Sequence, residues 1–306
     1  MNTAERAKSY LENARSRNTI RGYRSSFKQF RLWCETARLS AMPAAPETIA
    51  LYLAAQAGRI KAGTLAHHLA AIAKAHKSAG HPSPIRDNQL ICETFKGIKR
   101  VHGSAQTQKA PVLTAHLKSM LDLLPNSLGG LRDRALLLVG FAGAFRRSEM
   151  VAFNVCDLEF PTEGLLLNIR KSKTDQEGEG RKVAIPFGQH PETCAVGALR
   201  AWLVAAAIVD GPIFHQVDRH KRVIPGALSG QSVALVVKKH IGRAGMDAKL
   251  FSGHSLRAGF VTSAAMADVP ERRIMRTTGH KSCEMVQKYI RRADCFRDNA
   301  ALALGL

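Results

Sequence analysis

The sequence predicts a mainly α-helical chain carrying one small antiparallel β-sheet in its C-terminal part, and three observations lead there. Apolar residues recur at steps of three and four along most of the chain, which is the period of one helix face. Only the stretch 165–186 shows two short apolar runs around a polar turn, TDQEGEG. At 306 residues and 45% hydrophobic content, the chain is long enough for two ordinary domains with real cores.

In order, Ile20, Tyr23, Phe27, Phe30 and Trp33 form one apolar stripe between Thr19 and Thr36, and Arg21, Arg24, Lys28 and Arg31 occupy its other faces. Pro46 and Glu47 start a second helix through Ile49, Leu51, Tyr52 and Leu53. Thr64 is expected to cap a third, where Leu65, Leu69 and Ile72 share a face beside His67, His68, Lys74 and Lys77. A fourth is expected from Asn88 to Lys99. Residues 1–101 therefore read as a basic helical domain.

The polar stretch VHGSAQTQKAP, Val101 to Pro111, is the best linker candidate, so the division runs 1–101, linker 102–112, and a second domain 113–306. Thr114 is expected to cap a helix with Leu117, Met120, Leu121 and Leu124, and the apolar run from Leu131 to Phe145 reads as a buried helix that ends at Arg146 and Arg147. Strands are expected at Leu165 to Lys173 and Arg181 to Pro186, the only sheet signal found. Helices resume over 192–207, 232–244, 254–267, 271–277 and 282–291.

The chain carries 45 lysines and arginines against 24 acidic residues, a formal net charge of +21 spread over its whole length. A folded surface this cationic calls for an extended polyanion, nucleic acid, as partner. The six cysteines are far apart, with no CxxC pair, and read as reduced thiols. No apolar run approaches the ~20 residues of a membrane span, and residues 1–8 lack the features of a secretion signal. The expectation is a soluble protein of a reducing compartment, cytoplasmic and associated with the nucleoid.

Three short contexts carry the chemistry: AFRRSEM around Arg146, SGHSLRAGF around His254, and TTGHKSCEMVQKYI ending at Tyr289. Phosphodiesters react slowly because their charge repels nucleophiles and grows on the oxygens during attack. Many enzymes meet that charge with metals held by carboxylates, but no DxD pair or HExxH motif stands out here, and no metal or cofactor is expected. Two guanidiniums do similar work, since each is planar, permanently charged and able to grip two oxygens. His254 and Arg257, three residues apart, lie on neighbouring positions of one helix face. Tyr289 is the candidate nucleophile; a free phenol, with a pKa of about 10, is weak at neutral pH, so it needs a base, which His254 supplies. His280, after Gly279, is placed to donate to a phosphate oxygen. Taken singly, each has an ordinary alternative: HxxR as a solvated face, Arg146 as a helix-terminal charge, Tyr289 as a core residue with a wet hydroxyl, and a strand-end lysine as an edge residue.

The ordered set RRSE at Arg146 to Glu149, KSKT at Lys171 to Thr174, HSLR at His254 to Arg257, GH at Gly279 and His280, and Tyr289 resembles the tyrosine recombinases, the phage integrase family. The similarity covers nearly the whole chain, and the layout resembles the two-domain bacteriophage recombinases such as Cre. The resemblance implies a helical core-binding domain and a catalytic domain that together form a C-shaped clamp on double-stranded DNA with specific recombination sites. It implies that Arg146 and Arg257 hold the scissile phosphate, His254 accepts the tyrosine proton or shares in phosphate binding, and His280 donates to a non-bridging oxygen. Lys173 then protonates the departing 5′ oxygen, Tyr289 forms a 3′-phosphotyrosyl bond, and Glu149 supports the site. Lys171, Arg170 and Lys182 are the alternatives to Lys173, since a one-residue register change moves a strand side chain to the other face.

The activity so implied is site-specific recombination without metal or ATP, by four protomers through a Holliday junction, with accessory proteins left open. The apolar tail with Phe296, Leu302, Leu304 and Leu306 is expected to pack on a neighbouring protomer. The rival readings are relaxation of a single duplex by type IB topoisomerase chemistry, and a DNA-binding protein with an inert site. Base recognition is expected around Thr64 to Lys77 and Arg243 to His254.

Overall fold

A computed structural model describes residues 15–105, 108–172, 175, 179–280 and 282–293, with 2, 3, 5, 6, 9, 10 and 304. The chain divides into two compact units, Met1–Thr107 and Gln108–Leu306.

The first unit holds α1 (Arg17–Ala37), α2 (Pro46–Gln56), α3 (Ala62–Ser78) and α4 (Gln89–His102). Capping explains where two of them begin. Ser16 accepts a hydrogen bond from the Thr19 amide, and Asn88 accepts one from the Ile91 amide. Thr64, by contrast, is not a cap: α3 starts two residues earlier, after Lys61, and Thr64 lies inside its first turn. Phe30, Ile49, Tyr52, Leu53, Leu65, Leu69, Ile72 and Ile91 make the core. His68 is drawn into it and bonds the Tyr52 hydroxyl at 2.7 Å, and burial and then His67 hold its pKa below the ordinary histidine value. Arg21, Arg24, Lys28 and Arg31 on α1, and His67, Lys74 and Lys77 on α3, stay exposed.

The second unit runs α5 (Thr114–Asp122), α6 (Leu128–Ala142), α7 (Arg147–Met150), β1 (Leu158–Glu159), β2 (Gly164–Ile169), β3 (Arg181–Pro186) and α8 (Ala195–Ala205). It continues with β4 (His215–Val217), β5 (Val223–Ala227), α9 (Gly230–Arg243), α10 (Ser255–Met266), α11 (Glu271–Thr278) and α12 (Cys283–Ala293). Helix α6 is apolar nearly all round, which places it at the centre: Leu136, Leu137 and Val139 pack with Val196, Leu199 and Trp202 of α8. The one carboxylate on its buried part, Asp133, bonds His240 Nε2 at 2.7 Å and Arg132 at 2.6 Å. Burial pushes the Asp133 pKa up, but those two partners outweigh it and leave it below the ordinary value.

Strands β1, β2 and β3 form an antiparallel sheet in that order, with Ile169 opposite Arg181 and Gly164 opposite Pro186. Leu165, Leu167 and Ile169 alternate inward, as do Val183 and Ile185. Several expectations are corrected. Strand β2 ends at Ile169, the last residue paired with β3, short of Lys173, and the Arg170 that follows bonds Asp157 through its side chain. A second sheet, β4 with β5, escaped the sequence because Pro225 and Gly226 sit within β5 and the pairing is irregular between His215 and Gln216. Leu113 rather than Thr114 precedes α5, and its amide donates to His116 Nδ1 at 3.3 Å. Helix α6 stops at Ala142, so Arg146 does not end it but precedes the short α7.

The stretch expected as a linker is structured at both ends: Val101 and His102 belong to α4, and Ala110 and Val112 are hydrogen-bonded. The amides of Ala110 and Val112 donate to the carbonyls of Leu250 (2.8 Å) and Ser255 (2.9 Å), which ties the entry of the second unit to α10. Among the described residues no helix is long and apolar enough to cross a membrane, and Cys34, Cys92, Cys156, Cys194 and Cys283 form no disulfide.

Gly259 lets α10 lie directly on the backbone of Val112; a Cβ there would overlap the Val112 carbonyl. Backbone held by hydrogen bonds on both sides has little room to yield. Gly259→Ala is therefore expected to destabilise the second unit by about 1–3 kcal/mol, read as a lowered urea midpoint at unchanged m-value.

Candidate active site

Arg146 reaches its place through a strained turn. Helix α6 is followed by Ala144 in the left-handed region (φ 49°), fully buried, and then by buried Phe145. Glu149, 2% exposed, accepts from the Arg146 amide at 2.9 Å and from its guanidinium at 2.7 Å, so one carboxylate fixes both ends of the residue. The buried Ala144 carbonyl, turned by that same φ, accepts from Arg257 Nη1 at 2.7 Å.

Arg257 stands in the first turn of α10 and is 1% exposed. The entry to that helix is braced by two hydrogen bonds: the Ser252 amide donates to Ser255 Oγ (2.9 Å), and the His254 amide to Ser252 Oγ (3.2 Å). His254 lies at the exposed end of this turn, with Nε2 3.0 Å from the Tyr289 hydroxyl. Tyr289 comes from α12, which seats Val286 and Tyr289 against Val261 and Ile274.

His280 follows Gly279, which ends α11 in the left-handed region (φ 67°). Thr278 Oγ1 donates to the Ile274 carbonyl (2.9 Å) and lies 2.9 Å from His280 Nδ1. That network assigns the tautomer: Nδ1–H donates to Thr278, and Nε2 accepts from Arg257 Nη2 at 3.0 Å. Burial, then Arg257, Arg146, His254 and Arg181, push the His280 pKa down to about 4, so its ring is neutral at pH 7.

A third guanidinium, which the sequence did not single out, completes the cluster. Arg181, at the start of β3, donates to the carbonyls of Thr277 (2.9 Å) and Thr278 (3.2 Å). Burial lowers its pKa, Glu149 raises it and Arg146 lowers it, for a net value below the ordinary one. Arg257 is pushed down to about 10, by burial first and then by Arg146, with Glu149 opposing and Arg181 adding to the fall. Three guanidiniums thus share one buried carboxylate. Such a site is short of negative charge and suits an anion able to take several N–H donors at once.

Arg146, Glu149, Arg257 and His280 are brought together in this way, and the His254–Tyr289 pair adjoins them. Lys173 lies outside the described residues, as do Phe296, Leu302 and Leu306. Of the alternatives to Lys173, Arg170 Nε bonds Asp157 at 2.6 Å and Lys182 Nζ bonds Glu159 at 2.6 Å, while Lys171 is exposed. Among the described residues no group of three or more His, Cys, Asp or Glu side chains is placed to hold a metal ion.

The Phage integrase family model matches residues 112–295. An integrase/recombinase xerD homolog of Selenomonas ruminantium is 42% identical over 299 residues, covering 96% of this chain and 87% of that protein. Recombinase cre of Escherichia phage P1 is 24% identical, covering 91% and 85%, so the xerD homolog is the nearer of these two. Among solved structures, the lambda integrase(75-356) dimer bound to a COC' core site overlays with a TM-score of 0.62 at 17% identity, covering 97% of this chain and 96% of that one. The XerH site-specific recombinase bound to palindromic difH substrate, a post-cleavage complex, gives 0.61 at 16% identity, covering 84% and 71%.

The depressed His280 pKa has a definite sign in solution. An unfolded histidine takes up its proton near pH 6.5, and the folded one only near pH 4. As pH falls through that window the unfolded state binds the proton first, so this residue's contribution to stability is lost between the two values and is constant above them. An NMR titration of the His280 ring is expected to show a midpoint near pH 4 that moves upward in Arg146→Gln, where one neighbouring cation is gone.

Proposed function

Because the chain belongs to the phage integrase family, the tyrosine recombinases, we propose that it is a site-specific DNA recombinase that cuts and rejoins strands through Tyr289. The observation that carries this reading is the phenol–imidazole contact of 3.0 Å beside a buried cluster of guanidiniums holding more positive than negative charge. A scissile phosphate supplies the anion that cluster lacks.

In the proposed reaction the Tyr289 oxygen attacks phosphorus while His254 Nε2 accepts the phenolic proton. Arg146 and Arg257 bind the non-bridging oxygens as charge grows on them. Glu149 holds Arg146, and His280 adds a hydrogen bond to an oxygen after its single ring proton moves from Nδ1 to Nε2, with the Thr278 hydroxyl turning from the Ile274 carbonyl to donate to Nδ1 and the Arg257 N–H released to the phosphate. The bond from phosphorus to the 5′ oxygen breaks, and Lys173 gives that oxygen its proton. The strand is left with a 3′-phosphotyrosyl ester and a 5′ hydroxyl. A 5′ hydroxyl from a second duplex reverses the step without ATP, which turns cleavage into strand exchange. The guanidiniums take the place that a divalent cation holds in other phosphoryl transfers.

The first unit is assigned to core binding: the exposed basic faces of α1 and α3 supply phosphate contacts, with Thr64, His67, Lys74 and Lys77 facing solvent. Both units are assigned contacts to one duplex, and affinity falls steeply with salt. Base reading is assigned to the exposed residues of α3 and to 243–254. A tetramer on two duplexes, joined by the C-terminal tail, passes through a Holliday junction; accessory proteins remain compatible with this scheme, which places the protein on cytoplasmic DNA.

Covalent capture tests the reading. The chain is incubated with a nicked random-sequence duplex library, and SDS-resistant adducts are sequenced to give the target site. Wild type is expected to form adducts with or without EDTA, and Tyr289→Phe none; adducts from Tyr289→Phe, or their loss in EDTA, refute the mechanism. On the site so found, Lys173→Ala is expected to slow cleavage about 10²–10⁴-fold and Lys171→Ala far less. A substrate with sulfur in place of the 5′ bridging oxygen should restore the Lys173→Ala rate, since a thiolate leaves without a proton.

A further inference from the structure

We propose that Arg181 is a positioning residue that fixes the His280 turn, and with it the hydrogen bond between His280 and Arg257, by clamping the end of α11 to strand β3. This rests on the reading of Arg257 and His280 as phosphate ligands.

The last carbonyls of a helix have no partner within it, and a planar fork of N–H donors is well suited to take two of them at once. Arg181 does so: Nη1 donates to Thr277 and Nη2 to Thr278, across 96 and 97 residues of sequence. The residue between those carbonyls and His280 is Gly279. A Cβ on Gly279 would stand 2.7 Å from Arg181 Nε and 2.9 Å from Cζ, so the guanidinium lies against the glycine's Cα. Gly279 therefore answers two demands, a positive φ and the room this side chain needs.

The anchor at the other end is equally fixed. Arg181 pairs with Ile169, the last residue of β2, at the base of the hairpin that continues to Lys171 and Ser172. The hairpin's return is tied by Asp175, which accepts from the amides of Glu179 (3.1 Å) and Gly180 (2.8 Å). Arg181 thus joins the base of the lysine-bearing hairpin to the turn that carries His280. Both of its Nη atoms are spent on backbone carbonyls, whereas Arg257 gives one to the Ala144 carbonyl and one to His280, and Arg146 gives its Nη1 to Glu149: Arg181 acts through His280 and does not grip the phosphate.

The test measures single-turnover adduct formation by the full-length chain on a nicked duplex carrying the captured site. Arg181→Gln is expected to lower the saturating rate by about 10²-fold, as a misplacement of about 1 Å does, with DNA affinity changed less than about threefold. Arg181→Lys, which reaches only one carbonyl, should recover part of the loss. In a His280→Ala background, Arg181→Gln should cost no more than about threefold further, since the two substitutions remove one interaction. Equal losses in both backgrounds, or a loss confined to DNA affinity, overturn the proposal, as does a wild-type rate for Arg181→Gln. Should Arg181→Gln fail to fold by circular dichroism, Arg181→Lys replaces it in the cycle, with the same outcomes deciding. Absence of any adduct from wild type overturns the underlying reading instead, and this proposal with it.

Discussion

The arrangement depends on an excess of fixed positive charge in a place that water reaches poorly. Arg257 is buried, Arg146 and Arg181 share its surroundings, and among the described residues Glu149 is the carboxylate that burial, hydrogen bonding and electrostatics place with them. Repulsion and desolvation oppose such a cluster, so each guanidinium needs an acceptor to hold it. Backbone carbonyls do most of this, those of Ala144, Thr277 and Thr278. Neutral acceptors orient the cations without cancelling their charge, and the demand for an anion survives folding. A site built from additional carboxylates would have been more comfortable and less receptive.

Much of the fold was legible because its signals are local. The apolar stripe of α1, Pro46 at the head of α2, Asn88 at the head of α4 and the alternation in β2 and β3 each follow from a few neighbouring residues. Strands β4 and β5 were not, since three and five residues with a bulge and an internal Pro-Gly carry no periodicity. The burial of His68 was not legible for a related reason. A histidine beside a lysine-bearing face looks solvated until the Tyr52 hydroxyl, on another helix, is known to meet it.

The candidate site divides along the same line. Arg146, Glu149, His254, Arg257, His280 and Tyr289 could be named because each sits in a short context whose chemistry is recognisable, and the structure gathers them. Arg181 could not, because its partners are almost a hundred residues away and a basic residue opening a strand is ordinary. Thr278, which sets the His280 tautomer, and Ala144, whose left-handed backbone turns a carbonyl toward Arg257, are equally silent in sequence. Lys173 falls outside the described residues, so its place rests on the KSKT context and on the engagement of Arg170 and Lys182 elsewhere.

Helix α12 has an apolar footing of its own. Val286 meets Val261 and Ile274 in a cluster separate from the main core around α6 and α8, with Tyr289 at its margin. Each such buried side chain contributes about 1.5–3 kcal/mol, so a handful of methyl groups sets how firmly the tyrosine is presented. The Tyr289 hydroxyl is consequently carried on a footing of its own: the contacts that seat its helix are different from the carbonyls and the carboxylate that hold the guanidiniums.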